Sequence, residues 1–336
     1  MNLARSMAAG ATILRRVIEA DARVVANVTV CPQHAALELS LPGFPDSVPG
    51  QFVQLRCADA SADADRAVEW REDGFPSLVE YELRGHRPLL RRPFSIADRW
   101  SDTDGAVHLL ILFRTVGAGT RWLEGRRADQ TVNLIGPLGR GFVLPDRPGP
   151  IALVGGGIGI PPLLYLARCL HAAGRADVTV VVGATSRALL PVKLIAEPAV
   201  DGAASRCVEL PGGATYPAIV TTDDGGAGLR GTVTDGLAAW ARERRPRLTE
   251  GQRGVVFACG PEAMLRAVAA QTRRLGLDCQ LSIERHMGCG LGTCLSCVVR
   301  RRDSGSRTGW RWALACQDGP VFDRDELLDY EGSSGA

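Results

Sequence analysis

Apolar and polar positions divide the chain into two textures. Between residues 22 and 145, short apolar-rich runs stand at 23–30, 36–41, 107–113 and 131–134, the first two with alternating polar residues. Cys31-Pro32-Gln33-His34 separates the first two runs, and a turn at Pro49-Gly50 feeds another, Gln51-Phe52-Val53-Gln54-Leu55. Period-two runs without sustained helical spacing predict strands, and this many short ones predict a small antiparallel barrel of six strands. From Pro150 the pattern changes. Apolar runs at 151–154, 178–182, 218–222 and 255–258 alternate with helical spacing at 163–173, 233–242 and 262–275. Gly174 closes the first helix as a left-handed cap, Thr232 starts the second and Gly276 follows the third. Strands alternating with helices predict a doubly wound parallel α/β sheet. A further strand is expected at 281–284. The polar, acidic stretch 58–85 reads as an insertion loop.

The sheet pattern runs into Cys289-Gly290-Leu291-Gly292-Thr293-Cys294-Leu295-Ser296-Cys297, with a fourth cysteine at Cys316. The C-x4-C-x2-C spacing is the plant-type arrangement in which four thiolates hold the two irons of a [2Fe-2S] cluster. The glycines suit a chain that wraps a compact anion, because positive φ angles and unhindered N–H groups are needed there. A zinc site usually shows two separated C-x2-C pairs, and one such pair is present.

Three other stretches carry candidate chemistry. Arg92-Pro93-Phe94-Ser95-Ile96 ends a strand with an arginine and a small hydroxyl. The guanidinium suits flavin phosphate oxygens and the hydroxyl suits an isoalloxazine edge; a plain strand with a surface arginine fits as well. Phe113-Arg114-Thr115-Val116-Gly117-Ala118-Gly119-Thr120-Arg121 reads as a pyrophosphate cradle at a helix N-terminus, or as a capped helix start and nothing more. Gly155-Gly156-Gly157-Ile158-Gly159-Ile160-Pro161-Pro162 is a tight strand-to-helix turn that departs from the G-x-G-x-x-G fingerprint at Ile160. No acidic residue closes the second strand, where Gly183-Ala184-Thr185-Ser186-Arg187 stands. Doubly wound sheets bind ligands at the carboxyl ends of their strands, where this turn and Cys259-Gly260-Pro261-Glu262 both fall. Cys259 is read as touching a bound nicotinamide, with packed core as the alternative.

Composition changes this picture little. A chain of 336 residues, 46% apolar, suits two or three domains. Its 39 basic and 37 acidic residues leave a net charge of +2, with no nucleic-acid footprint. Ten cysteines are too sparse for a disulfide scaffold, and a reducing cytoplasm is expected. The uncharged run 148–167 is broken by glycines and prolines, so a strand, loop and helix are expected there and no membrane span. Residues 1–18 carry Arg5, Arg15 and Arg16 without an acid, and read as an extension more than as a targeting segment. No histidine has ligand spacing.

With these motifs in this order, the chain resembles the ferredoxin–NADP reductase superfamily. Within it, the chain is similar to the family of electron-transfer subunits of NAD-dependent (class 1B) dihydroorotate dehydrogenase. The resemblance covers about residues 22–330. Its further landmarks are Gly136-Pro137-Leu138-Gly139, Thr222-Asp223-Asp224-Gly225, Met287-Gly288-Cys289-Gly290 and Cys316-Gln317-Asp318-Gly319-Pro320-Val321-Phe322. It implies FAD held by Arg92, Pro93, Phe94 and Ser95, by Leu112, Phe113 and Arg114, and by Gly119 and Thr120. NAD would lie on Gly155, Gly156, Gly157 and Gly159 and near Gly260, Pro261 and Glu262. The [2Fe-2S] cluster would be ligated by Cys289, Cys294, Cys297 and Cys316. Ser95, near flavin N5, and Cys259 are the implied catalytic positions. The implied domains are an extension (1–21), an FAD-binding barrel (22–148), an NAD-binding α/β domain (149–284) and a small cluster cap (285–336). The implied partner is an FMN-containing dihydroorotate dehydrogenase catalytic subunit, two of each in a heterotetramer, with electrons passing to NAD+ in pyrimidine synthesis. Arg187 leaves NADP open. A related FAD/[2Fe-2S] NAD(P)H oxidoreductase subunit, of the sulfide dehydrogenase or ferredoxin:NADP oxidoreductase type, is the alternative. The basic stretch with Arg300, Arg301, Arg302, Arg307 and Arg311 reads as a docking surface or as a solvated hairpin.

Overall fold

The period-two runs become β1 (Ile18–Cys31), β2 (His34–Pro42), β3 (Phe52–Leu55), β4 (Arg92–Ser95), β5 (Asp98–Ser101), β6 (Ala106–Arg114) and β7 (Thr131–Leu138). They pair antiparallel in the order β4-β3-β7-β1-β2-β6-β5. The two edge strands are consecutive in the chain. The Ile96 N–H donates to the Gln51 carbonyl on one side, and the Ala97 N–H to the Leu110 carbonyl on the other. One bent strand therefore joins both edges and closes the sheet, and the seven segments amount to the six strands expected. Val24, Leu37, Leu39, Leu109, Ile111 and Leu134 fill its interior with no exposed surface. Helix α1 (Ala118–Glu124) is tied to β1 by the Asn27 amide, which donates to the carbonyls of Leu123 and Arg126. The computed structural model describes residues 16–58, 90–144, 149–210, 213, 215–244 and 253–331. The extension before residue 16 and all of the expected 58–85 insertion except Ala58 lie outside the described residues.

The second sheet contains β8 (Ile151–Gly156), β9 (Val178–Ala184), β10 (Lys193–Leu194), β11 (Ser205–Glu209), β12 (Thr215–Thr222), β13 (Leu229–Arg230), β14 (Val255–Cys259), β15 (Asp278–Ser282) and β18 (Val321–Asp323). Its centre, β12-β9-β8-β14-β15, is parallel, and β11 and β18 add antiparallel strands at either side. β8 and β14 are buried along their whole length, as strands covered on both faces are. Helix α2 (Pro161–Ala172) packs Leu163, Leu166 and Leu170 into a core continuous with the barrel interior. Helices α3 (Val233–Arg244) and α4 (Glu262–Leu275) place Leu237, Trp240, Leu265 and Val268 in a second core. Gly174 and Gly276 take the left-handed conformation that ends a helix, with φ of +72° and +67°.

The expected strand at 281–284 begins earlier, at Asp278, and ends at Ser282. Its polar residue Gln280 hid it from the apolar pattern. The Gln280 amide exchanges hydrogen bonds with the Val143 backbone of the barrel, so the position is polar for a tertiary reason. β11, β18 and the hairpin β16 (Val298–Arg302) and β17 (Trp310–Leu314) were not in the sequence expectation either.

The C-terminal segment is stitched to the second sheet. β18 pairs with β15, and Cys297, Val299, Ala313, Cys316, Phe322, Leu327 and Tyr330 share the core of α3 and α4. The barrel contributes Phe52 and Leu138 to that same core. On the other side of the sheet, the Tyr165 hydroxyl donates to the Ser47 carbonyl (2.7 Å), and Arg168 pairs with Asp98 (2.5 Å). Burial pushes the Asp98 carboxyl up, against the pull of Arg168.

Backbone meets backbone where barrel and C-terminal segment touch. A β-carbon at Gly139 (φ +76°) would lie 2.6 Å from Pro320 Cδ and 2.8 Å from Phe52 Cε1, and one at Gly50 would lie 2.7 Å from Val321 Cγ2. Gly139→Ala is expected to cost about 2–4 kcal/mol, from left-handed strain plus overpacking. Gly276→Ala carries the same strain with nothing within 4 Å and is expected to cost about 1 kcal/mol. Urea midpoints of the two variants check the difference.

Candidate cofactor sites

The cysteine loop joins β15 to the hairpin, and its conformation follows from its glycines. Gly290 and Gly292 have φ of +73° and +88°, and Leu295 is itself left-handed at +57°. The turns aim backbone N–H groups at sulfur: those of Leu291 and Cys294 lie 3.3 and 3.4 Å from Cys289 Sγ, and that of Cys316 lies 3.4 Å from Cys297 Sγ. No three His, Cys, Asp or Glu side chains among the described residues meet as a single-ion site requires. The four thiols fall into two pairs: Cys294 is in hydrogen-bonding reach of Cys289, and Cys316 of Cys297. A four-thiolate zinc site has one point of convergence, whereas two irons held by four thiolates need two. The donor set therefore fits the cluster. The Ser296 hydroxyl, then its backbone and Cys289, lower the exposed Cys294 thiol to about 6, while burial pushes Cys316 up to about 12.

The flavin motif is assembled from three places in the chain. Phe94 of β4 meets Phe113 of β6 edge-on, with centroids 6.1 Å apart. Gly119 lies where a β-carbon would come 3.3 Å from Cys57 Cβ and 3.5 Å from Arg92 Cγ. Arg92, Phe94, Phe113 and Gly119 are thus neighbours, and Ser95 stands half-buried at the end of β4 opposite Phe52. Leu112 and Phe113 are core residues, with Pro93 beside them in the β4 run. Arg92 donates to the carbonyls of Leu90 and Arg91, and Arg114 to Gln33 Oε1. The Thr120 hydroxyl oxygen accepts from the N–H groups of Val116 and Gly117 at 2.9 and 3.0 Å, as a helix-capping residue does.

The nucleotide loop and the loop after β14 are pressed together. A β-carbon on Gly159 would collide with the Cys259 carbonyl, and one on Gly156 with Met264 Sδ. One on Gly155 would come 2.9 Å from Ile160 Cγ1. Three of the four glycines are therefore required by the packing of the protein on itself. Gly157 (φ +52°) has nothing within 4 Å and alone faces open space. Cys259 is buried, and burial raises its thiol to about 12, with the Glu284 carboxylate adding to the rise; at neutral pH it is a protonated thiol. Gly260 (φ +157°) packs on Met264, and Pro261 stands at the start of α4. Glu262 is bound by Arg266 (2.6 Å) and by Arg285 (3.0 Å), which leads into the cysteine loop. Arg187 forms a two-pronged pair with Glu197 at 2.7 and 2.6 Å.

Four of the five arginines of the basic hairpin pair with acids of this chain. Arg300 pairs with Asp329 (2.6 Å), Arg301 with Glu326 (2.5 Å), Arg302 with Glu331 and Arg311 with Asp318 (3.3 Å). Leu291, Leu295, Val298 and Trp312 are exposed apolar side chains around the cysteine loop. One polar group escaped the sequence reading. Gln54 of β3 has no exposed surface, and among the described residues neither Oε1 nor Nε2 has a hydrogen-bond partner. Each such unsatisfied group costs about 1–3 kcal/mol. In sequence Gln54 looked like the solvent-facing half of an alternating strand, and only the cysteine loop lying over it reverses that.

The Arg266 hydrogen bond, with help from Arg285, holds the Glu262 carboxyl below its ordinary 4.5. A depressed folded value gives stability that is complete above 4.5 and is lost as pH falls through the lower folded value. Glu262→Gln should therefore lower the thermal midpoint at pH 7, and the gap to the parent chain should close in acid below that window. Thermal melts across pH check it.

Residues 284–328 match the iron-sulfur cluster binding domain of dihydroorotate dehydrogenase B. In overall fold, the chain is similar to a solved NADH-dependent reduced ferredoxin-NADP oxidoreductase, with TM-score 0.64 and 24% identity over 95% of this chain and 91% of that one. The dihydroorotate dehydrogenase B (NAD(+)) electron transfer subunit of Geobacillus thermodenitrificans is 35% identical over 83% of this chain and 86% of its own. The subunit of the same name from Desulforamulus reducens is 32% identical over 90% of this chain and 95% of its own. With likeness at that level over 83–90% of the chain, and with the four cysteines in the matched segment, the chain belongs to the family of dihydroorotate dehydrogenase B electron transfer subunits.

Proposed function

We propose that this chain carries electrons from an FMN-containing dihydroorotate dehydrogenase catalytic subunit to NAD+, as one of two copies in a heterotetramer serving pyrimidine synthesis. The pairing of the four thiols, on a loop seated against the strand next to the flavin motif, is the observation that carries this reading. The barrel, at 22–148, is the FAD-binding domain, 149–284 the NAD-binding domain and 285–336 the cluster cap. Cys289, Cys294, Cys297 and Cys316 would hold the two irons of the cluster. Once bound, the [2Fe-2S] group exchanges single electrons, and FAD converts between these and the hydride of the nicotinamide.

The residues do the rest by position. Leu291 and Cys294 aim backbone N–H groups at the Cys289 sulfur, and Cys316 aims one at the Cys297 sulfur, where they would offset the negative charge of a bound cluster. Arg92 offers the flavin phosphates a guanidinium at the edge of the barrel, and Ser95 presents a hydroxyl at the end of the same strand. Gly157 leaves the dinucleotide a clear approach, while Gly155, Gly156 and Gly159 hold that loop against Cys259 and Gly260. A buried, protonated Cys259 gives the nicotinamide an apolar neighbour. The Arg187–Glu197 pair occupies the guanidinium that a 2′-phosphate would need, which supports NAD over NADP. The exposed Leu291, Leu295 and Trp312 support a partner docking over the cluster. The ten cysteines are all free thiols, which supports a cytoplasmic location; among the described residues no helix is long and apolar enough to cross a membrane.

Cys294→Ser is expected to remove the iron while leaving FAD bound and still reduced by NADH, with NADH preferred to NADPH. Iron analysis and a dye-reduction assay check both. Mixed with the FMN-bearing partner, the parent chain should support dihydroorotate-dependent NAD+ reduction and the variant should not. A native complex that lacks an FMN subunit and ignores dihydroorotate overturns the assignment.

A further inference from the structure

Gln54 connects the two redox sites. In β3 it lies opposite Pro93, in the middle of the flavin motif, and it is flanked by Val53 and Leu55, which point into the barrel core. Its own side chain points the other way, under the cysteine loop. A β-carbon built on Gly290, the residue after Cys289, would lie 2.7 Å from Gln54 Nε2 and 3.1 Å from its Cδ. Gly290 is left-handed as well, so the loop is shaped to admit this amide. The amide is completely buried, yet both its donor and its acceptor atoms are unpartnered among the described residues. A buried amide is stable there when something in the site takes its hydrogen bonds.

We propose that Gln54 is a positioning residue whose amide N–H groups donate to the sulfur of the group held by the Cys289 loop, and so tune its potential from the flavin side. This rests on the reading of the four cysteines as cluster ligands. Reduction adds a negative charge to the cluster, and an N–H donor stabilises that charge, so the hydrogen bond raises the potential. Because β3 carries both Gln54 and the pairing with the flavin strand, the same side chain sets the seat of the loop relative to FAD.

The test is a redox titration of the purified, iron-loaded protein, followed by electron paramagnetic resonance of the reduced cluster and by flavin absorbance. Gln54→Met keeps the side-chain length and removes the donors. Gln54→His keeps a ring N–H. Gln54→Met is expected to shift the cluster's reduction equilibrium about tenfold toward the oxidised state, which is ~59 mV for a one-electron couple, and to alter its g-values. Gln54→His is expected to shift less, and the flavin potential to hold in both. Gln54→Met with full iron, the parent potential and parent g-values overturns the inference. A parent protein with no iron–sulfur resonance overturns the ligand reading and this inference with it.

Discussion

At the junction of barrel and C-terminal segment there is no room for side chains. Gly50 faces Val321, Gly139 faces Pro320, and the Arg140 N–H donates to the Gly319 carbonyl. Each contact is backbone against backbone or against a single methyl or ring carbon. This close approach seats the cysteine loop on β3, and β3 is paired with the flavin strand β4. If the junction were wider by one side chain, the loop would lift from Gln54 and the two candidate redox sites would separate. Electron transfer between cofactors depends on how near they are held, so this close contact just beyond Cys316, made largely of glycine and proline, bears on the proposed function.

The arginines of the hairpin have a related task. They are paired with Asp329, Glu326 and Glu331 at the end of the chain, or with Asp318 just after Cys316. Several of these pairs are solvent-exposed, and exposed pairs contribute little individually. Their combined effect is geometric. They tie the hairpin between Cys297 and Cys316 to nearby acids, and Leu291, Leu295, Val298 and Trp312 stand exposed around the cysteines. A partner that docks there meets Leu291, Leu295 and Trp312 in place of a field of positive charge. Shape and apolar contact then choose the partner more than electrostatic steering does.

The nucleotide loop shows how one residue type can serve two purposes in adjacent positions. Gly155, Gly156 and Gly159 are glycine because other parts of the protein approach them, while Gly157 is glycine in open space with a positive φ. A conventional fingerprint assigns its glycines to the ligand. Here one glycine faces open space, Gly155 meets Ile160 and Leu163, and Gly156 and Gly159 lie against the segment that follows β14. That packing brings Cys259 and Glu262 to the same crevice as the nucleotide loop, and Glu262 in turn reaches Arg285 at the start of the cysteine segment.

Much of this was legible in the chain itself. Local patterns determine their own outcome when the cause is local: helix α4 ends where Gly276 caps it, the apolar runs become buried strands, and cysteine spacing announces its chemistry because three of the four cysteines share one short loop. The tertiary structure decided whatever depended on a distant partner. Gln280 is polar because it bonds the barrel at Val143, so the strand around it began earlier than its apolar residues indicated. The hairpin arginines looked free because their acids come later in the chain. Thr120 caps its own helix, and three of the four glycines of the nucleotide loop face protein. Gln54 is the plainest case: alternation alone places its side chain on the outer face of β3, and outer faces are usually wet. Only the loop folded over it from the other end of the chain makes that face an interior, since burial is a property of the assembled fold and not of any one strand.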